Sequence, residues 1–216
     1  MSGCRLSNLL VFFLLLPLPV ASDEALVFEP AAIMDWSTKA FAGETRYELV
    51  TVDGREAVHA QCRDGGASGL ILEREIDLTE TPVVEWQWRA GQFPNGADET
   101  RRAGDDYAAR LYAVDASRVL RWRTRAVTYV WSTHMERGAD WPNAYVSQAH
   151  MLAVRSAQSA TTGTWQTQRR NLREDFQTYH GRDVERIDAL AIMTDCDDTG
   201  EAAEAWYGTI RLLPAE

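Results

Sequence analysis

The sequence predicts an all-β protein, an antiparallel β-sandwich or jelly roll with one short helix near residues 171–180. Three observations lead there. Short runs rich in β-branched, aromatic and leucine residues are separated by Gly, Pro, Asn and Asp clusters, the rhythm of a two-sheet fold. Within 83–89 apolar and polar residues alternate, so that Val84, Trp86 and Trp88 share a packed face while Glu85, Gln87 and Arg89 share a wet one. Helical spacing stands out once, at Leu172, Phe176 and Tyr179.

In chain order the strand runs fall at 47–52, 56–62, 69–76, 83–89, 107–114, 126–131, 147–156, 187–194 and 205–213. The helix follows Asn171, which can cap its start with Glu174 three residues on, and it precedes Gly181, which can end it. The polar stretch 91–106, between two of these strands, is long enough to serve as a lid.

Ahead of the strands lies a targeting pattern. Arg5 supplies a positive start, 9–16 an apolar run too short to span a bilayer, and Val20, Ala21 and Ser22 a small-residue cleavage site. The expected organisation is a cleaved signal peptide over 1–22 and a single sandwich domain over 23–216, without a membrane span in the mature chain. The expected location is the periplasm of a Gram-negative source, or outside the cell.

Charge narrows the partners. The 216 residues carry a formal net charge of -10, and loss of Arg5 with the leader makes it more negative still. Such a surface repels phosphate backbones, so nucleic acid is not an expected partner, whereas a glycan or another small polar ligand is compatible. Two cysteines outside the leader, Cys62 and Cys196, would sit in an oxidising compartment, where they could pair or remain as two buried thiols.

Chemistry concentrates at the end of the run 187–194. Asp195, Asp197 and Asp198 form an acidic turn, with Asp195, Asp197, Thr199 and Gly200 at the first, third, fifth and sixth positions of a calcium loop. The twelfth position is Trp206 rather than a glutamate, and strands flank the turn, so it is not an EF-hand. Asp195, Asp197 and Asp198 remain candidate oxygen ligands for a cation such as Ca2+, against simple turn roles for Asp and Thr.

Upstream, a strand starting near Asp106 would put Asp106, Ala108, Arg110 and Tyr112 on one face. Arg110 could then pair with Asp106 or the acidic turn, or bind an acidic or hydroxylated ligand. Eight tryptophans add surfaces on which sugars stack. Trp88 and Trp131 are candidates despite strand positions that favour the core, and Trp141, followed by Pro142 and Asn143, is the candidate exposed platform.

No nucleophile elbow or catalytic triad is present, and Ser132 near His134 does not make one. No catalytic residue is therefore assigned. The expected function is non-catalytic binding of a carbohydrate or related polar ligand by Trp88, Asp106, Arg110, Trp131, Trp141, Asp195 and Asp197. The alternatives are a polysaccharide- or cell-wall-acting hydrolase using paired carboxylates, and a structural or interaction protein.

The motifs DDYAARLYAV (105–114), TYVWS (128–132), WPNAY (141–145), HMLAVRS (150–156), WQTQRRNLREDFQTYHG (165–181), IDALAIMTDCDDTGE (187–201) and AWYGTI (205–210) together resemble the DUF3047 family of exported bacterial proteins. In that family the turn reads closer to TDTDNT, from which Cys196 and Asp198 depart. The resemblance implies an uncharacterised domain similar in outline to galactose-binding-like sandwiches, and it transfers no activity.

Overall fold

The computed structural model describes residues 25–95, 98–117, 123–159 and 162–215. The expected signal peptide, 1–22, lies outside them. Among the described residues the elements are β1 (Leu26–Phe28), α1 (Pro30–Met34), β2 (Ser37–Ala42), β3 (Arg46–Val52), β4 (Arg55–Cys62), β5 (Ala67–Asp77), β6 (Val83–Gln92), β7 (Ala109–Asp115), β8 (Arg125–Ser132), β9 (Asp140–Pro142), β10 (Ala149–Ser156), β11 (Gln166–Asn171), α2 (Leu172–His180), β12 (Arg186–Asp195) and β13 (Ala203–Leu213).

They form a β-sandwich. The first sheet has the order β11-β6-β13-β4-β3, with β1 also on β13, and the second β2-β5-β12-β7-β8-β10-β9. Pairing is antiparallel except between β8 and β10, which run parallel with Ala149 opposite Ala126. The sandwich is thus as expected, and among the described residues this pair departs from its antiparallel pairing. Parallel neighbours cannot be joined by a tight hairpin, and the connection 133–148 accordingly crosses over and forms β9 on the way.

Each strand of the runs named above is present, because its apolar period matches the pleat. β1, β2, β9 and β11 have no such signal: β2 (STKAFA) is exposed almost throughout and β11 (QTQRRN) is polar, so pairing rather than burial holds them.

The alternation at 83–89 has its expected outcome. Trp86 and Trp88 are buried between the sheets at 1% and 0% exposure, and their rings meet edge to face, with centroids 5.3 Å apart. Across the interior Trp86 meets Tyr129 at 5.1 Å and Trp88 meets Trp131 at 5.8 Å, so β6 and β8 are joined by a layer of four aromatic rings. Glu85, Gln87 and Arg89 turn outward.

The helix is capped as its sequence requires. The Asn171 side chain accepts from the Glu174 N–H, and Gly181 at φ 63° donates back to the Gln177 carbonyl. Leu172 and Phe176 are fully buried and close one end of the core. At the other edge, β3 and β4 are joined by Asp53 and Gly54 at φ 52° and 75°, the paired positive values of a two-residue hairpin turn.

Cys62 and Cys196 form a disulfide, resolving the alternatives for these thiols. It joins the end of β4 in the first sheet to the residue after β12 in the second, across 134 residues. Closing so long a loop removes unfolded-state entropy worth about 5 kcal/mol. Replacing both cysteines by alanine is expected to lower unfolding free energy by about that amount. Urea titration of the oxidised protein beside the double variant measures the difference, and superimposable curves would contradict it.

Candidate functional site

The acidic turn proves to be built around a closed ion pair. Asp195 ends β12, and Arg110 lies directly across from Met193 on the neighbouring β7. Arg110 Nε donates to Asp195 Oδ1 at 3.0 Å, and Nη2 donates to both Asp195 Oδ2 and the Asp105 carbonyl. Nη1 donates to the Tyr112 hydroxyl at 3.3 Å, and the guanidinium lies 4.2 Å from the Tyr107 ring centroid. The Tyr107 N–H also donates to Asp195 Oδ1, at 3.0 Å.

Arg110 and Asp195 are 3% and 2% exposed. Burial alone would weaken the charged form of the arginine, but Asp195 overrides this and holds it well above its ordinary value. All three guanidinium nitrogens are engaged by the protein itself, leaving no fork for a ligand. The ligand-binding expectation for Arg110 and Asp195 is corrected accordingly: the pair is structural.

Asp106 is likewise inward, at 1% exposure, yet it does not face Arg110. Regular pairing of β7 begins only at Ala109, so strand alternation does not extend back to Asp106. Its carboxylate caps the turn, accepting from the Asp198 N–H at 3.2 Å and from the Thr199 N–H and hydroxyl, both at 2.6 Å. Asp197 is exposed, and Asp198 accepts from the Tyr145 hydroxyl.

As to a cation, Asp106, Asp195 and Asp197 each bring one oxygen within 4.8 Å of the others, a donor set of the kind hard cations take. The grouping replaces Asp198 by Asp106. Within it Arg110 already supplies positive charge to Asp195, and Asp106 is committed to the turn.

The tryptophan expectations are corrected by burial. Trp88 and Trp131 are wholly enclosed between the sheets and cannot meet a ligand from solvent. Trp141, expected as an exposed platform, is 5% exposed and packs with Tyr107, Val130, Met151 and Ala153 on the far side of the second sheet. The connection carrying it folds back as β9 and buries the ring. Within the stretch expected to serve as a lid, Glu99 is anchored: it is 2% exposed and accepts from the Ser132 hydroxyl and the Thr133 N–H.

What the sequence reading did not assemble is the outer face of the first sheet. On β13, Ala205 and Tyr207 point inward and Trp206 outward, between His59 of β4 and Arg89 of β6. Trp206 stacks parallel to His59 with centroids 4.7 Å apart, and the Arg89 guanidinium lies 4.8 Å from the indole centroid. Arg89 also bonds Asp53 of the hairpin turn at 2.8 Å. Glu204 joins the row by bonding His59 at 2.8 Å and accepting from the Gln61 amide at 2.9 Å.

Trp165, just before β11, lies over the same face. Glycines make room for both rings. A Cβ at Gly91 would stand 2.6 Å from Trp206 Cζ3, and one at Gly208 would stand 3.4 Å from Trp165 Cζ3 and 3.1 Å from Gln87 Cβ. The signals were legible in principle, since Trp206 alternates with two inward residues, and an isolated strand glycine marks close approach. The arrangement supplies apolar ring surface beside amide, guanidinium and carboxylate groups, which suits a polyhydroxylated ligand.

Fold and faces together define a β-sandwich with a polar-aromatic sheet face. Residues 34–211 match the model of a family described as a protein of unknown function (DUF3047), and the chain belongs to that family. No curated protein matches it.

Among solved structures, the chain is similar to the family 11 carbohydrate-binding module of the cellulase Lic26A-Cel5E of Clostridium thermocellum. There the identity is 10%, the TM-score 0.49, and the match covers 89% of this chain and 95% of that one. The family 30 module of Cel9D-Cel44B from the same organism gives 12%, 0.49, 84% and 91%. The glycoside hydrolase domain of Endo-D from Streptococcus pneumoniae R6 gives 8% and 0.43; 82% of this chain matches, spanning only 21% of that domain.

Two outcomes follow from the closed pair. Arg110→Leu is expected to cost about 3–5 kcal/mol, because it strands Asp195 as an unpaired buried charge, and adding Asp195→Leu should recover part of the loss. Urea unfolding of the single and double variants reads this, and an Arg110→Leu as stable as the parent would contradict it.

The second concerns pH. Burial raises the Asp105 carboxyl above the ordinary 3.8, and Arg110 and the Asn143 amide offset this only in part. A raised carboxyl takes up its proton first in the folded state, so its favourable contribution is full below pH 3.8 and is lost as pH rises through the raised value. Thermal midpoints of the parent relative to Asp105→Asn should therefore improve on going from neutral to mildly acidic buffer. A constant difference would remove the assignment.

Proposed function

We propose that the protein is an exported, non-catalytic β-sandwich that binds a carbohydrate across the outer face of its first sheet. The observation that carries this reading is the pair of half-buried tryptophans, Trp165 and Trp206, seated over Gly208 and Gly91 among Gln87, Arg89, Gln61 and Glu204. The wet face of an antiparallel sheet is ordinarily covered by short polar or charged side chains. Two large rings among ordered hydrogen-bonding groups instead form a surface matched to a sugar, whose C–H face packs on the Trp165 indole and the outer edge of Trp206, the two faces of Trp206 being held by His59 and Arg89, while its hydroxyls take the polar partners.

Gln87 has no side-chain hydrogen bond among the described residues, so its amide is available to a hydroxyl. Export is supported by the leader-like pattern of 1–22 and by the Cys62–Cys196 disulfide, which persists in an oxidising compartment. No helix of the described residues is long and apolar enough to cross a membrane.

The test is calorimetric titration of the folded protein with neutral oligosaccharides of several linkages. At least one should bind without being cleaved, and Trp206→Ala and Gln87→Ala should each weaken it by roughly tenfold, about 1.4 kcal/mol. Binding equal to the parent in both variants, or release of shorter sugars, would sink the proposal.

A further inference from the structure

A second surface has a different chemistry. Where the edge strand β11 of the first sheet passes the end of β10 in the second, the sandwich opens into a groove of about 290 Å³. This is near the lower end of ligand-pocket volumes, about 300 Å³. Arg137, Arg155, Gln168, Arg169 and Arg170 are among the residues that border it, so four arginines surround one opening of a chain whose net charge is -10.

The four are not equivalent. Arg170 is answered by Asp175, to which it donates through Nε at 2.9 Å and through Nη2. Arg155 has no carboxylate partner among the described residues; the charged group acting on it is Arg137, of like sign, and burial together with Arg137 lowers its pKa. Its Nε is enclosed and has no acceptor.

Gln168 adds a second unspent donor. It sits on the inward side of β11, is only 6% exposed, and its Nε2 has no hydrogen-bond partner. A buried N–H without an acceptor is destabilising, and an incoming acceptor would relieve that cost. The groove therefore combines uncompensated positive charge with two unpartnered N–H donors, and what would satisfy both is an anionic oxygen.

We propose that this groove binds an oxyanion, a carboxylate, sulfate or phosphate group carried by a small polar ligand, with Arg155 and Gln168 as its principal donors and Arg137 adding charge at the mouth. Arginine suits the task because its planar fork meets two oxygens of such a group at once. The site uses none of the residues of the tryptophan-bearing face and does not depend on that face binding sugar.

The experiment titrates the full chain at constant ionic strength with inorganic sulfate, inorganic phosphate and oligogalacturonate, against chloride and a neutral galactan fragment. Saturable one-to-one binding of at least one oxyanion is expected. Arg155→Gln should weaken it at least tenfold, Gln168→Leu by a smaller factor, and Arg155→Lys, which keeps charge but loses the fork, should fall between parent and Arg155→Gln.

Arg74→Gln makes the same charge change on an exposed position of β5 and should bind as the parent does. Tighter binding of oligogalacturonate than of the inorganic anions would identify a sugar-borne carboxylate; the reverse order would identify a free anion. Absence of saturable oxyanion binding overturns the proposal, as does an equal loss in Arg74→Gln and Arg155→Gln, or a folded Arg155→Gln with parental affinity. Trp206→Ala separates the two sites, because it should impair neutral sugar binding and leave sulfate or phosphate binding unchanged.

Discussion

The buried pairing of Arg110 with Asp195 is the constraint on which one end of the sandwich depends. It fastens β7 to the last residue of β12, and through the Asp105 carbonyl and the Tyr107 amide it fixes the segment leading into β7. That segment presents Asp106 to the turn after β12, and the same turn carries Cys196, which reaches over to Cys62 on the other sheet. Tyr207 completes the connection from β13, donating its hydroxyl to the Met193 carbonyl and accepting the Arg110 N–H. Charge, disulfide and tyrosine thus lock the two sheets at the same end, while α2 closes core surface elsewhere.

Such a centre reads deceptively in sequence. Asp195, Asp197 and Asp198 with a nearby Arg110 have the composition of a ligand site, and composition does not distinguish charges facing solvent from charges facing each other. The deciding quantity is whether the fork of the guanidinium is free, and here Asp195 fills the Nε–Nη2 fork while the Asp105 carbonyl and the Tyr112 hydroxyl engage further N–H groups of Nη2 and Nη1. Asp106 escapes for another reason: the pleat starts at Ala109, and a period of two cannot be projected beyond the first paired residue.

Much of the fold is legible because its signals are local. Trp86 and Trp88 alternate with charged neighbours, and Asn171, Glu174 and Gly181 mark both ends of α2. β2 and β11 are not legible, since β2 has no alternation and is exposed, β11 is polar, and only a neighbouring strand makes them extended. The outer face of the first sheet lies between these cases. Trp206 can be placed outward from its own strand, but its company of His59 and Arg89 comes from strands distant in sequence. The arginine groove is less visible still, because Arg155 and Gln168 belong to different sheets and meet only where those sheets part.

The parallel pairing of β8 with β10 has a consequence for how the second sheet ends. Because the chain must cross over between them, the crossover is free to supply β9, whose Pro142 lacks an amide hydrogen and whose Asp140 places a charge on the rim. A strand from another molecule finds a blunted border there. At the opposite border β2 lies open along Ser37–Ala42, with Phe41 67% exposed and Lys39 as its charged guard. That leaves β2 as the described edge of the second sheet open to another strand, and a contact between two copies made through this one edge would be two-fold and stop at a pair instead of growing into a stack.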